Sequence, residues 1–266
     1  MNTNSQFMEE DLQVRIHGTP ALPALVYLPG LHGDWTLIGS FRTALDDRVC
    51  FVEFTYPRSV TWSLNEYAEA IGGCLRRQGI SHGWLLGESF GSQIAWAMIK
   101  AGQFKVDGLV LAGGFVRHPA LWGVRCVRFI AAHTPWQGRQ ALLLAYLKCA
   151  PFRHRHAPET LQGIAEFAAR RNDSDWAAAG HRLDLIARND PRVVARQATM
   201  PVFYLAGLVD PLVPWPWVRW WLRRHCSFYR GGRTFWTADH NVLATAPRET
   251  AAQVLDWMAA KPRMGA

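Results

Sequence analysis

Short, uninterrupted apolar runs alternate with helix-patterned stretches along this chain, and that alternation constrains its fold more than any other feature. A strand that is apolar at every position has both faces covered, as in a largely parallel sheet with helices on either side. Residues 24–28 form the first such run and stop at Pro29-Gly30. Residues 35–47 then pattern as a helix, and 49–54 as a strand closed by Tyr56-Pro57. Ser63 followed by Glu66 predicts a capping box opening a helix to about Gly79. Further strands are expected at 84–86, 109–112, 202–206 and 227–230, with helices at 90–101 and about 247–259. The predicted class is α/β, a mostly parallel central sheet flanked by helices.

The connection between the strands at 109–112 and 202–206 far exceeds the usual length of about 2–6 residues. Residues 116–197 are helical in pattern and punctuated by Pro119, Pro135, Pro151 and Pro158. Two sequential domains are the alternative, but because a single sheet resumes afterwards, this stretch reads as an inserted helical cap. The core then comprises 1–115 and 198–266. No internal repeat or low-complexity tract interrupts it.

Composition narrows the function classes. With 266 residues, 49% of them hydrophobic, the chain can bury one large core. The polar, acidic amino-terminal stretch lacks the pattern of a secretory signal, and no run of about 18 apolar residues predicts a membrane span. The cysteines Cys50, Cys74, Cys126, Cys149 and Cys226 are scattered and odd in number, which disfavours a disulfide framework or a structural zinc site. A cytoplasmic protein without integral membrane association is expected. The net charge of +8 is carried almost wholly by arginine, the only lysines being Lys100, Lys105, Lys148 and Lys261. No nucleic-acid-binding signature accompanies it, so no nucleic-acid partner is expected.

The sharpest chemical signal is Gly87-Glu88-Ser89-Phe90-Gly91, between a predicted strand and a predicted helix. A turn there forces the serine into a strained conformation with its hydroxyl exposed above the sheet edge. Flanking glycines are required because side chains at those positions would strike the neighbouring strand and helix.

A serine nucleophile needs a base, and the base an orienting acid. In a parallel sheet, functional groups gather at the carboxyl ends of the strands, and that rule sorts the candidates. Asp107 precedes its strand, and Asp173, Asp175, Asp184 and Asp190 belong to the helical excursion. Asp210 directly follows strand 202–206 and is the expected acid. His225 precedes the last strand, whereas His240 follows it, so His240 is the expected base. Asp239 is too near in sequence to orient His240 and reads as a turn or capping residue. The glycine-rich loop Leu28-Pro29-Gly30-Leu31-His32-Gly33-Asp34 lets the main chain approach an oxyanion closely, and the N–H groups of Leu31 and Phe90 are the expected donors. His32 is expected to be a hydrogen-bonded loop residue.

The order Ser, Asp, His, the elbow, the glycine-rich loop and the Asp239-His240-Asn241 ending resemble the α/β-hydrolase superfamily from about residue 22 onward. Small capped bacterial serine esterases are the most similar type, including carboxylesterases that act on carrier-protein esters. The loop has Pro29-Gly30 where many members have His-Gly, and Ser89 stands where epoxide hydrolases and dehalogenases have aspartate. The resemblance implies cleavage of a carboxylic ester or thioester through an acyl-enzyme, without metal or organic cofactor. An acyltransferase or lyase on the same residues, or a non-catalytic small-ligand receptor, remain alternatives on this fold.

Two features stand outside that reading. Trp215-Pro216-Trp217-Val218-Arg219-Trp220-Trp221 can pack a helix or present aromatic faces to a substrate or a membrane interface. Residues 116–197 hold 13 Lys/Arg against 6 Asp/Glu, including Arg153-His154-Arg155-His156. That cluster is either a solvated face or a means of recruiting an acidic carrier.

Overall fold

The computed structural model describes residues 12–260, so most of the amino-terminal stretch and the last residues of the predicted core lie outside the described residues. Seven strands make one sheet: β1 (Gln13–His17), β2 (Ala24–Leu28), β3 (Cys50–Thr55), β4 (His82–Glu88), β5 (Lys105–Ala112), β6 (Val202–Val209) and β7 (Tyr229–Asp239). Their spatial order is β1-β3-β2-β4-β5-β6-β7. β1 runs antiparallel to β3, and all other neighbours are parallel.

The helices are α1 (Gly39–Ala44), α2 (Leu64–Arg77), α3 (Gly91–Ala101), α4 (Leu121–His133), α5 (Trp136–Arg153), α6 (Pro158–Ala169), α7 (Asp173–Arg188), α8 (Arg192–Arg196), α9 (Trp215–His225), α10 (Val242–Thr245) and α11 (Pro247–Ala259). α4 to α8 all fall between β5 and β6, within the long helical excursion. The Ser63–Glu66 capping box forms, with the Glu66 N–H donating to Ser63 Oγ and the Ser63 N–H to the Glu66 carboxylate.

Alternation within the strands divides the core between the two faces of the sheet. Val26, Leu28, Val52 and Phe54 join Ile71, Ile94 and Trp96 on one face; Leu25, Tyr27 and Phe51 join Phe41, Val254 and Leu255 on the other. Leu25, Val26 and Leu28 are fully buried, and burial of one such side chain stabilises by about 1.5–3 kcal/mol.

Three elements differ from expectation. The helix expected at 35–47 is a 3-10 turn at Thr36–Ile38 followed by the short α1, and Asp46 and Asp47 beyond it have positive φ of 52° and 49°. β1 carries a short, half-buried pattern with Arg15 outward, too weak to read as a strand. β7, expected at 227–230, extends to Asp239; it pairs only with β6, so edge position allows Gly231, Gly232 and an exposed Trp236 within it. In the tryptophan-rich α9, Trp215 and Trp221 pack on the core, as the packing reading expects, while Trp217 and Trp220 are exposed. Among the described residues no helix is long and apolar enough to cross a membrane.

Candidate active site

β4 ends at Glu88 and α3 begins at Gly91, leaving Ser89 at the turn with φ 48°. A non-glycine residue in this left-handed region costs about 1–2 kcal/mol, so the surroundings must impose it. They do so through close approach. A Cβ on Gly91 would lie 2.0 Å from the Leu28 carbonyl oxygen, and one on Gly87 would lie 2.9 Å from the Ser92 backbone. Ser92 then braces the turn, its hydroxyl donating to the Ser89 carbonyl at 2.6 Å and accepting the Phe115 N–H at 3.1 Å.

Two loops at the carboxyl edge bring the remaining groups to Ser89. Asp210 follows β6 and His240 follows β7. Asp210 Oδ2 lies 2.9 Å from His240 Nδ1, and His240 Nε2 lies 2.8 Å from Ser89 Oγ. Asp210 Oδ1 accepts the N–H groups of Leu212 and Val213 at 2.8 and 2.9 Å, so both of its oxygens are occupied. The Asp210 and His240 side chains are 0% and 9% exposed, while Ser89 is half-buried. A carboxylate accepting at Nδ1 fixes the proton there and leaves Nε2 as the acceptor for the serine hydroxyl. Gly113, with φ 54°, makes room for the histidine: a Cβ there would lie 2.6 Å from the His240 carbonyl oxygen.

The loop after β2 lies alongside the serine, a Cβ on Gly30 coming within 3.4 Å of Ser89 Cβ. Among the described residues, the N–H groups of Leu31 and Phe90 donate to no main-chain acceptor in the surrounding turns. The loop's carbonyls, by contrast, are gripped by two arginines of the helical segment. Arg182, from α7 and buried, donates to the Leu31 carbonyl at 2.9 Å and the Pro57 carbonyl at 3.1 Å. Arg171 donates to the His32 carbonyl at 3.1 Å and pairs with the Asp34 carboxylate. Burial opposes ionisation of Asp34, but the His32 and Arg171 charges and the Thr36 hydrogen bonds outweigh it and hold the carboxyl below its usual range.

No family model and no curated protein matches the chain. Solved structures do. An esterase from Exiguobacterium antarcticum superposes with a TM-score of 0.74 at 13% identity, over 94% of this chain and 96% of that one. An α/β hydrolase from a Medee basin deep-sea metagenome library gives 0.73 at 15% identity, over 95% and 96%. The enol-lactonase from Burkholderia xenovorans gives 0.71 at 18% identity, over 94% and 96%. The chain has the α/β-hydrolase fold.

Within this α/β-hydrolase fold the other candidates are accounted for by structural partners. Asp107, near the start of β5, bonds His82 at 2.6 Å. Asp173, Asp184 and Asp190 pair with Arg139, Arg128 and Arg117, and Asp175 with Arg58. The His225 ring packs against Trp220 and Trp221. Asp239 caps its turn through the Asn241 N–H at 2.9 Å, as expected, and also pairs with Arg153 at 2.6 Å. His32 departs from expectation: its carbonyl is bonded, but Nε2 is buried without a partner and the ring stands edge-on to Phe167. The Arg153–His156 cluster divides: Arg155 and His156 are exposed, whereas Arg153 is paired and His154 is buried, bonded to Tyr146 and the Ala244 carbonyl.

Three groups near the site were given no role by the sequence. His118 is buried, and desolvation, aided by nearby His240, lowers its pKa; its Nδ1 accepts the Ala120 N–H at 3.1 Å. Glu88, beside the serine, is buried and accepts the Tyr27 hydroxyl at 2.5 Å. Burial and that carboxylate push the Tyr27 phenol well above its usual value. The third is Arg182, an ordinary helical arginine in sequence whose partners are carbonyls far away along the chain. No cluster of three or more His, Cys, Asp or Glu suited to a metal occurs among the described residues.

Proposed function

We propose that this protein is a serine hydrolase that cleaves a carboxylic ester or thioester through an acyl-enzyme. The observation that carries the reading is the continuous Asp210–His240–Ser89 relay, 2.9 and 2.8 Å, ending on a serine held at φ 48°. His240 Nε2 takes the hydroxyl proton as Ser89 Oγ attacks the carbonyl carbon, and Asp210 stabilises the imidazolium that forms. The tetrahedral oxyanion is bound by the N–H groups of Leu31 and Phe90, which have no competing main-chain acceptor in the surrounding turns. Collapse expels the alcohol or thiol, which takes its proton from His240. Water, deprotonated by the same histidine, then attacks the acyl-enzyme and releases the acid. The ester and lactone hydrolases sharing the fold support this chemistry as a class. Residues 116–197 serve as the cap, and the Arg171 and Arg182 bonds to the oxyanion loop are its attachment to the site.

Turnover of p-nitrophenyl esters of increasing chain length tests the reading. Hydrolysis of at least one ester, abolished in Ser89→Ala, is the expected outcome. Inertness toward every ester and thioester tried, together with tight binding of small acids, would favour a receptor.

A further inference from the structure

The longest stretch of the chain without an acidic residue is 108–158, which contains seven Lys/Arg. It holds α4 and α5, and both helices carry more apolar surface than the fold uses. The inner side of α4 packs through Val124 near Leu183 and Ile186 of α7, and the inner side of α5 through Ala150, Tyr146 and Leu147 near Ile164 of α6. Yet α4 repeats Trp122, Cys126, Phe129, Ile130 and His133 at helical spacing along an exposed side, with Trp122 75% and Phe129 64% exposed. α5 exposes Leu144 and Phe152, the latter 76% exposed. A solvated helix face is ordinarily polar, so apolar surface of this extent marks a contact.

The charges say what kind. Arg117, Arg128, Arg139 and Arg153 are paired with acids from later in the chain. Arg125, Lys148 and Arg155 are exposed and have no carboxylate partner among the described residues. Arg125 stands one helical turn from both Trp122 and Phe129, Lys148 one turn from both Leu144 and Phe152, and the Arg155 guanidinium lies 4.9 Å from the Phe152 ring centre. Aromatic side chains interleaved with uncompensated cations suit a surface that is anionic at the level of its headgroups and apolar beneath. A second copy of this chain would bring like charges together. An acidic protein would meet the cations but leave most of the aromatic surface without a matching phase.

We propose that α4 and α5 form a docking face for an anionic phospholipid surface, holding the protein peripherally at a membrane. The face does not depend on the hydrolase reading, and its test reads binding rather than turnover.

The experiment is flotation of the full chain with vesicles of phosphatidylcholine alone or mixed with phosphatidylglycerol, at about 0.1 M and about 1 M salt, where the Debye length falls from about 10 to 3 Å. Binding is expected to the phosphatidylglycerol vesicles at low salt, and to weaken by about tenfold or more at high salt or in Arg125→Glu/Lys148→Glu. Trp122→Ser/Phe129→Ser/Phe152→Ser is expected to abolish it. Circular dichroism and turnover of a short soluble ester, both expected unchanged, keep loss of binding distinct from loss of fold. Absence of binding at low salt, or equal binding by wild type and both variants, overturns the proposal. So does preference for polyglutamate over the vesicles, which would assign the face to an acidic protein, or a solution dimer that the variants dissolve, which would assign it to a second copy.

Discussion

Arg182 Nη1 donates a 2.9 Å hydrogen bond to the carbonyl oxygen of Leu31, fastening a buried arginine of α7 to the loop beside Ser89. The same guanidinium holds the Pro57 carbonyl and leaves no room for a side chain at Gly33, where a Cβ would lie 2.4 Å from Nη1. The Leu31 carbonyl lies in the peptide plane after Leu31, whereas the Leu31 N–H lies in the preceding plane, whose Gly30 carbonyl accepts the Gly33 N–H at 3.0 Å. Arg182 thus holds the loop that presents the N–H, from the helical excursion.

Replacing Arg182 should consequently impair the chemical step more than substrate binding. Loss of one oxyanion donor costs about 10²–10³ in kcat, and a donor displaced rather than removed should cost less. Arg182→Lys, which keeps the charge but cannot bridge both carbonyls, is expected to lower kcat by about tenfold to a hundredfold with KM nearly unchanged. Steady-state kinetics on a soluble ester check this, and an unchanged kcat would leave Arg182 a purely structural residue.

Asp210→Asn should preserve the loop and disable the base. An asparagine carbonyl can still accept the Leu212 and Val213 N–H groups. Its amide, turned to His240, donates where the carboxylate accepted and imposes the wrong tautomer. A fall in kcat of about 10⁴, with an unaltered melting temperature to within a few degrees, is the expected pair of measurements.

The strain at Ser89 gives a prediction of opposite sign for stability. Ser89→Gly removes the proposed nucleophile but also relieves a left-handed residue at φ 48°, a cost of about 1–2 kcal/mol. Its Tm should rise by about 2–6 °C relative to Ser89→Ala, which keeps the strain. Calorimetry of the two inactive variants side by side reads this directly; equal values would mean that the turn is unstrained.

Asp34 predicts an acid-sensitive component of stability. Its folded-state pKa lies below the ordinary carboxylate value, so below that value the unfolded chain binds the extra proton. The contribution is present above about pH 4 and is lost as the pH falls through the lower, folded-state value. Urea unfolding at neutral and acid pH should show a shallower decline for Asp34→Asn than for wild type. Identical slopes would separate Asp34 from the acid limb.

What the sequence made legible follows from what is local in it. Ser89, Asp210 and His240 each sit just beyond the carboxyl end of a strand, so order along the chain sufficed to bring them to one edge. β1 and β7 were harder, because an edge strand needs only one buried face and tolerates charge and glycine. Arg182, Arg171 and His118 left no signal, since they are recognised by main-chain carbonyls, a buried carboxylate and desolvation rather than by any spacing. The Arg153–His156 run was legible only in part, for the converse reason: adjacent charges in sequence point to different partners, one to Asp239 and one into the interior.

Covalent labelling tests the central claim most directly. A fluorophosphonate captures a serine only when a neighbouring base activates it, and intact-mass and peptide analysis locate the adduct without a known substrate. One adduct, on the peptide containing Ser89, with labelling slowed by orders of magnitude in His240→Ala and Asp210→Asn, is the expected result. No adduct on folded wild-type protein, or one on a serine other than Ser89, would contradict it.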